Sequence, residues 1–156
     1  IRRFELSSYL NEVCQSLQPK LKPLGHAVMI DCPDIMMSTY PGALAQIVTN
    51  LVMNSVAHGF QNRRNGLIAL KAKSDSSKVS IIYSDDGCGI KEDQIEKIFD
   101  PFYTTGRSRG GTGLGLHISY NLVTQRLLGT IRCQPTSGGA KFIITIPIKL
   151  QPEPES

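Results

Sequence analysis

The chain has 156 residues, 40% of them hydrophobic, and 17 Lys and Arg against 13 Asp and Glu give it a net charge of +4. That is enough apolar material for one domain with a sizeable core, and no apolar run approaches the roughly 18 residues a membrane helix needs. The mild positive charge is dispersed over Lys20, Lys22, Arg63, Arg64, Lys71, Lys73, Arg107 and Arg109, which argues against a nucleic-acid stripe and leaves a solvated surface with room for an anion site. Cys14, Cys32, Cys88 and Cys133 form no C-x-x-C pair, so reduced thiols in a cytosolic compartment are expected rather than disulfides or zinc.

Near the N-terminus the pattern predicts a helix over residues 8–21, capped by Ser7 or Ser8, and a strand over 26–31. Residues 41–60 read PGALAQIVTNLVMNSVAHGF. Leu44, Ile47, Val48, Leu51 and Val52 fall at i, i+3, i+4, i+7 and i+8, an amphipathic helix facing a core, with Pro41 suited to its first turn. Asn50 and Asn54 lie one turn apart, roughly 40° from one another around the axis, at the edge of the apolar stripe. Asparagine is a mediocre helix former, so two on one edge of a buried face need partners for their amides. Neighbouring backbone would serve, and so would metal-bound phosphate.

A polar turn at 61–66 leads to strands over 67–73 and 78–84, joined by the turn 74–77 as a hairpin. The second strand runs into Asp85-Asp86-Gly87-Cys88-Gly89-Ile90, which stands a carboxylate and two glycines at a strand end, with Asp86 read as a solvated neighbour. A short helix is expected over 92–98. The segment Ile98-Phe99-Asp100-Pro101-Phe102-Tyr103-Thr104-Thr105 follows, and residues 103–110 carry almost no apolar anchor, so they are expected to be mobile without a ligand. Gly110-Gly111-Thr112-Gly113-Leu114-Gly115-Leu116 then opens a helix over 113–128, which would aim free N–H groups and a partial positive charge at bound phosphate. Strands over 130–134 and 140–148, joined through Ser137-Gly138-Gly139, complete the pattern. Residues 151–156 read as a tail. Helices collected on one face of a mixed sheet make an α/β two-layer sandwich.

Neither glycine run is a P-loop, because Leu116-His117 stands where Lys and Ser or Thr would be, and neither is the G-x-G-x-x-G of a dinucleotide site. A glycine cluster before a helix is by itself compatible with a plain tight turn. The order of the segments says more. An asparagine helix, then D-x-G-x-G, then a phenylalanine-flanked segment, then G-T-G-L-G-L resembles the N, G1, F and G2 boxes of the ATP-binding catalytic domain of sensor histidine kinases. That family belongs to the superfamily with the Bergerat ATP-binding fold, shared with gyrase, mismatch-repair and heat-shock chaperone ATPases. The resemblance covers about residues 41–147.

The resemblance implies ATP and Mg2+ as ligands and a role for each matching position. Asp85 would accept from the adenine amino group, with Gly87, Gly89 and Ile90 letting the backbone approach the base. Asn54 would bind the metal that bridges phosphate oxygens, with Asn50 beside it. Thr104, Thr105, Gly111, Thr112, Gly113, Leu114, Gly115 and Leu116 would line the triphosphate. Arg107 and Arg109 would lie in a lid where a guanidinium clamps the γ-phosphate. Related hydrolytic ATPases carry a glutamate four residues before the metal-binding asparagine; here that position is Asn50, and an amide cannot take a proton from water. Transfer to another acceptor is therefore expected over hydrolysis.

The chain departs from the family pattern at Ala57 and His58, where many members have a phosphate-gripping cation and a tyrosine. None of His26, His58 and His117 is followed by an acidic residue, as a phosphoacceptor histidine would be, so the acceptor is expected on a separate dimerisation domain. The expected layout is a catalytic domain over 1–150, its N-terminal part a linker helix from that dimerisation domain, the whole an excised fragment that is monomeric and cytoplasmic, either by itself or as the cytoplasmic portion of a membrane-bound sensor. A response regulator receiver domain would be its downstream partner, and no nucleic acid is expected. Two other classes fit the same residues: a hydrolytic ATPase of the superfamily and a non-catalytic nucleotide-binding module.

Overall fold

A computed structural model describes residues 1–101 and 115–151. In chain order the elements are β1 (Arg2–Glu5), α1 (Leu6–Ser16), α2 (Gln18–Leu21), β2 (Ala27–Asp31), β3 (Met36–Thr39), α3 (Pro41–Asn54), β4 (Leu67–Ser74), β5 (Lys78–Asp85), α4 (Gly115–Asn121), β6 (Thr130–Cys133) and β7 (Lys141–Pro147). Five strands form one sheet in the order β2-β4-β5-β7-β6, with β2 and β4 parallel and the other pairs antiparallel. The strands β1 and β3 pair separately in an antiparallel ribbon.

Alternation along β5 decides which face is covered. Val79, Ile81, Tyr83 and Asp85 are buried toward the helices, whereas Ser80, Ile82 and Ser84 are half-buried on the other face. The helical layer answers with the stripe Leu44, Ile47, Val48, Leu51 and Val52, all fully buried on α3. Leu6, Leu10, Val13 and Cys14 of α1 join the same core. The architecture is the mixed-sheet sandwich expected from the sequence.

Several local expectations shift. The first helix begins at Leu6 rather than residue 8, because the Glu5 carboxylate accepts from the N–H groups of Ser7 and Ser8 and caps it, and it breaks at Leu17 before α2. The asparagine helix is regular only to Asn54 and continues as a wide π-helical turn, Ser55–Gly59. The last helix does the same, α4 passing into a π-helical turn at Leu122–Arg126. Over 92–98 only Glu92–Gln94 is helical, as a single 3₁₀ turn. The strands β1 and β3 were not expected at all.

Beside the sheet edge His26 is buried, its Nδ1 accepting from the Gly66 N–H at 2.8 Å and its ring 4.5 Å from that of Phe60. Burial holds its pKa below the ordinary value, with Arg63 pushing the same way and Asp86 opposing. Protonation at Nδ1 would break the bond from Gly66. The unfolded chain takes up this proton first as pH falls, so this stability is complete above about pH 6.5 and is lost below it. The urea midpoint is expected to fall between pH 7.5 and 5, and His26→Gln, which cannot titrate, is expected to remove His26's share of that slope.

Cys14, Cys32, Cys88 and Cys133 are free. Burial pushes the Cys14 and Cys133 thiols up to about 11, which keeps them unreactive. No helix among the described residues is long and apolar enough to cross a membrane.

Candidate nucleotide site

The site is built around one carboxylate. β5 carries Asp85 to its last position, 8% exposed and turned into the helical layer. Its Oδ1 accepts from the Gly87 N–H and the Ala140 N–H, both at 3.0 Å. Its Oδ2 accepts from the Ser55 hydroxyl at 2.6 Å. A carboxylate offers about four in-plane lone pairs, so three are taken and one on Oδ2 remains. That is an acceptor held ready for one further donor.

The backbone around it is stripped of side chains for a steric reason. A Cβ on Gly87 would stand 2.4 Å from the Gly59 carbonyl oxygen, and one on Gly139 would stand 1.8 Å from that of Asp85. Gly89 and Gly139 also have φ of +78° and +71°, a region glycine enters freely. The turn after β5 is pinned to the end of the π-helical turn by the Cys88 N–H, which donates to the Gly59 carbonyl at 2.8 Å. Strand end, π-helical turn and the 138–139 turn thus meet at Asp85.

Asp86 is exposed, as expected, yet it has partners of its own. Its Oδ1 accepts from Arg63 Nη2 at 2.6 Å and from the Leu67 N–H at 2.8 Å, and Arg63 Nη1 donates to its carbonyl at 2.7 Å. The partial desolvation that would raise its pKa is outweighed by the bonds from Leu67 and Arg63 and by the guanidinium charge, which hold it below the usual carboxylate range. Both side chains are nearly half exposed, so the pair is worth little in stability. What it does is tie the loop before β4 to the turn that carries Asp85.

The two asparagines divide. Asn50 Oδ1 accepts from Gln46 at 2.8 Å, and its Nδ2 donates to the Gly115 carbonyl at 3.1 Å and to Ser119 Oγ at 3.2 Å. Neighbouring groups therefore occupy its amide, which stitches α3 to the start of α4. Asn54, at the last position of α3, is half-buried and joins no side-chain hydrogen bond among the described residues. Among the described residues, then, the Asn50 amide oxygen has a hydrogen-bond partner and that of Asn54 has none.

Gly115 and Leu116 open α4 beside Asn50, and Ile90 packs partly buried on the core. Phe99 stacks 5.6 Å from Tyr120 and 6.2 Å from Phe142, and its carbonyl meets His117 Nδ1 at 3.1 Å. Thr104, Thr105, Arg107, Arg109, Gly111, Thr112, Gly113 and Leu114 lie outside the described residues, as does the expected lid. Ser55 and Tyr83 were missed by sequence reasoning. The available signal was Tyr83 standing two residues before Asp85 on a strand, hence on the same face.

Residues 39–150 match the family model described as histidine kinase-, DNA gyrase B- and HSP90-like ATPase. The sensor histidine kinase ZraS of Escherichia coli O157:H7 is 37% identical over 111 residues, 70% of this chain. The chain spans about a quarter of that relative, 23% of its length. The nucleotide-free catalytic domain of histidine kinase ThkA superposes with a TM-score of 0.83 at 27% identity, covering 95% of each chain. ThkA in complex with the response regulator TrrA matches with a TM-score of 0.78 at 26% identity, over 94% of this chain and 41% of that one. The chain therefore belongs to the histidine kinase-, DNA gyrase B- and HSP90-like ATPases, as the ATP-binding catalytic domain of a sensor histidine kinase.

Proposed function

We propose that this domain binds ATP with Mg2+ and donates the γ-phosphoryl group to a histidine on a separate dimerisation and phosphoacceptor domain, from which a response regulator receiver domain takes it. The observation that carries this reading is the state of Asn50. A hydrolytic ATPase needs a base at that position to activate water. Here an amide stands there, and its polar atoms are occupied by Gln46, Gly115 and Ser119. No group in that place can take water's proton, so the phosphoryl group is kept for another acceptor.

The remaining residues bind and orient. Asp85 Oδ2 receives the adenine amino group on its open lone pair, and Gly87 and Gly89 let the base lie against the turn. Asn54 Oδ1 would hold the metal, whose charge would offset that of the phosphate oxygens. Arg107 or Arg109 would reach the γ-phosphate, and Gly111, Thr112 and Gly113 would cradle the chain of phosphates, as the family resemblance implies. The complex of ThkA with TrrA supports the receiver domain as partner. Free cysteines and dependence on ATP fit a cytoplasmic setting.

Incubation with γ-labelled ATP and Mg2+ tests the reading. Alone, the domain is expected to label neither itself nor water beyond a trace, and adding a phosphoacceptor domain is expected to yield an acid-labile, base-stable phosphohistidine on that domain. Steady release of phosphate without an acceptor, or stoichiometric labelling of His26, His58 or His117, would overturn it. Asn54→Ala is expected to cut this transfer at least about tenfold while leaving adenosine binding unchanged.

A further inference from the structure

We infer that Ser55, with Tyr83 behind it, is a positioning residue that sets the plane of the Asp85 carboxylate and so decides how sharply the site reads the purine 6-amino group. This rests on the adenine-reading role proposed for Asp85. The two backbone N–H groups from Gly87 and Ala140 anchor only Oδ1. A carboxylate held at one oxygen can still pivot about it. Among the described residues the second oxygen is fixed by a single hydrogen bond, the 2.6 Å one from Ser55 Oγ, which is in the range of charge-assisted O–H···O⁻ bonds. Because Oδ2 is also the oxygen with the open lone pair, the Ser55 hydroxyl aims the acceptor that would meet the base.

A proton count extends the relay one step. Ser55 spends its one hydroxyl proton on Asp85, so the 2.5 Å contact between Ser55 Oγ and the Tyr83 hydroxyl takes its proton from Tyr83. The same phenol also lies 3.1 Å from the Leu51 carbonyl, which can accept from it as well as from the Ser55 N–H, but Ser55 Oγ is the nearer acceptor. Both hydroxyl bonds therefore point toward the carboxylate, and aligned donors strengthen each other in a dry site. Burial holds the Tyr83 phenol far above its ordinary pKa, against the pull of the Ser55 bond, which keeps it a donor at any working pH. Ser55 and Tyr83 are 1% and 0% exposed.

The π-helical turn explains how one short segment serves both ends of the nucleotide. Asn54 closes α3 and Ser55 opens the wider turn, so consecutive residues present an amide to the metal and a hydroxyl to the base-reading carboxylate. Wide turns of this kind recur at functional sites.

The test compares calorimetric binding of ATP and of purine riboside triphosphate, which lacks the 6-amino group, in the wild type, Ser55→Ala, Tyr83→Phe and Asp85→Asn. Wild type is expected to prefer ATP. Ser55→Ala is expected to weaken ATP about tenfold while changing the analogue less than about twofold, and Tyr83→Phe, which keeps the ring packing, to weaken ATP about threefold in the same selective way. An equal loss for both nucleotides, or no loss in either variant, would overturn the positioning role while Asp85→Asn still showed selective loss. No preference in the wild type, with Asp85→Asn equally indifferent, would refute the adenine reading and the inference together.

Discussion

Asp85→Asn is expected to lower ATP affinity about 10- to 100-fold with little change in melting temperature. The amide has the shape of the carboxylate, and its orientation is dictated by the protein. Two N–H donors, from Gly87 and Ala140, converge on Oδ1, so the amide oxygen must stay there and the NH2 group falls at the Oδ2 position. Ser55 can turn and accept from it, which preserves the fold. The adenine amino group cannot, because two donors then face each other. The guanine 6-oxo group would meet that NH2 favourably, so the ratio of ATP to GTP affinity is expected to fall, and titration calorimetry with both nucleotides reads it directly.

Gly139→Ala is expected to be the most damaging methyl among the described glycines. The added carbon would sit 1.8 Å from the Asp85 carbonyl oxygen and 2.8 Å from its carbonyl carbon, at a φ of +71°. Neither strand can give way cheaply, since the Asp85 N–H donates to the Ala140 carbonyl and the Ala140 N–H to Asp85 Oδ1, both at 3.0 Å. Left-handed strain contributes about 1–2 kcal/mol, and displacing the paired backbone adds at least a comparable amount. A loss of about 3 kcal/mol corresponds to a melting temperature lower by roughly 6–12 °C in a domain of this size. Gly138→Ala provides the control. Nothing lies within 4 Å of its added carbon, so an effect below about 0.5 kcal/mol is expected.

What could be read from the sequence follows from where periodicity is strong. The stripe from Leu44 to Val52 and the alternation from Val79 to Asp85 each have one dry face, and both appear where expected. The strands β1 and β3 have no such signal: Arg2–Glu5 is RRFE, mostly charged, and Met36–Thr39 follows Pro33 and Asp34 in what reads as a loop. They are strands because they pair with each other, a tertiary fact. The π-helical turns are invisible for a related reason, since one extra residue per turn slides the apolar phase without changing composition.

At the site, residue types that carry chemistry in their own side chains were legible, and the supports were not. Asp85 and the glycines announce themselves at a strand end. Ser55 and Tyr83 look like ordinary helix and strand residues until the fold brings them within 2.5 Å of each other, 28 positions apart in the chain. The pairing of Arg63 with Asp86 was hidden in the same way, the two standing 23 positions apart. Sequence reasoning ranked Asn54 above Asn50 only through the resemblance, and it is the fold that shows what Asn50 does instead, engaged by Gly115 and Ser119.

A crystal structure of the domain with a non-hydrolysable ATP analogue and Mg2+ tests the central claim most directly. The expected result is the adenine amino group within about 3 Å of Asp85 Oδ2, with the metal about 2.0–2.1 Å from Asn54 Oδ1 and bridging phosphate oxygens. An adenine bound away from Asp85, or a metal coordinated without Asn54, would contradict the account.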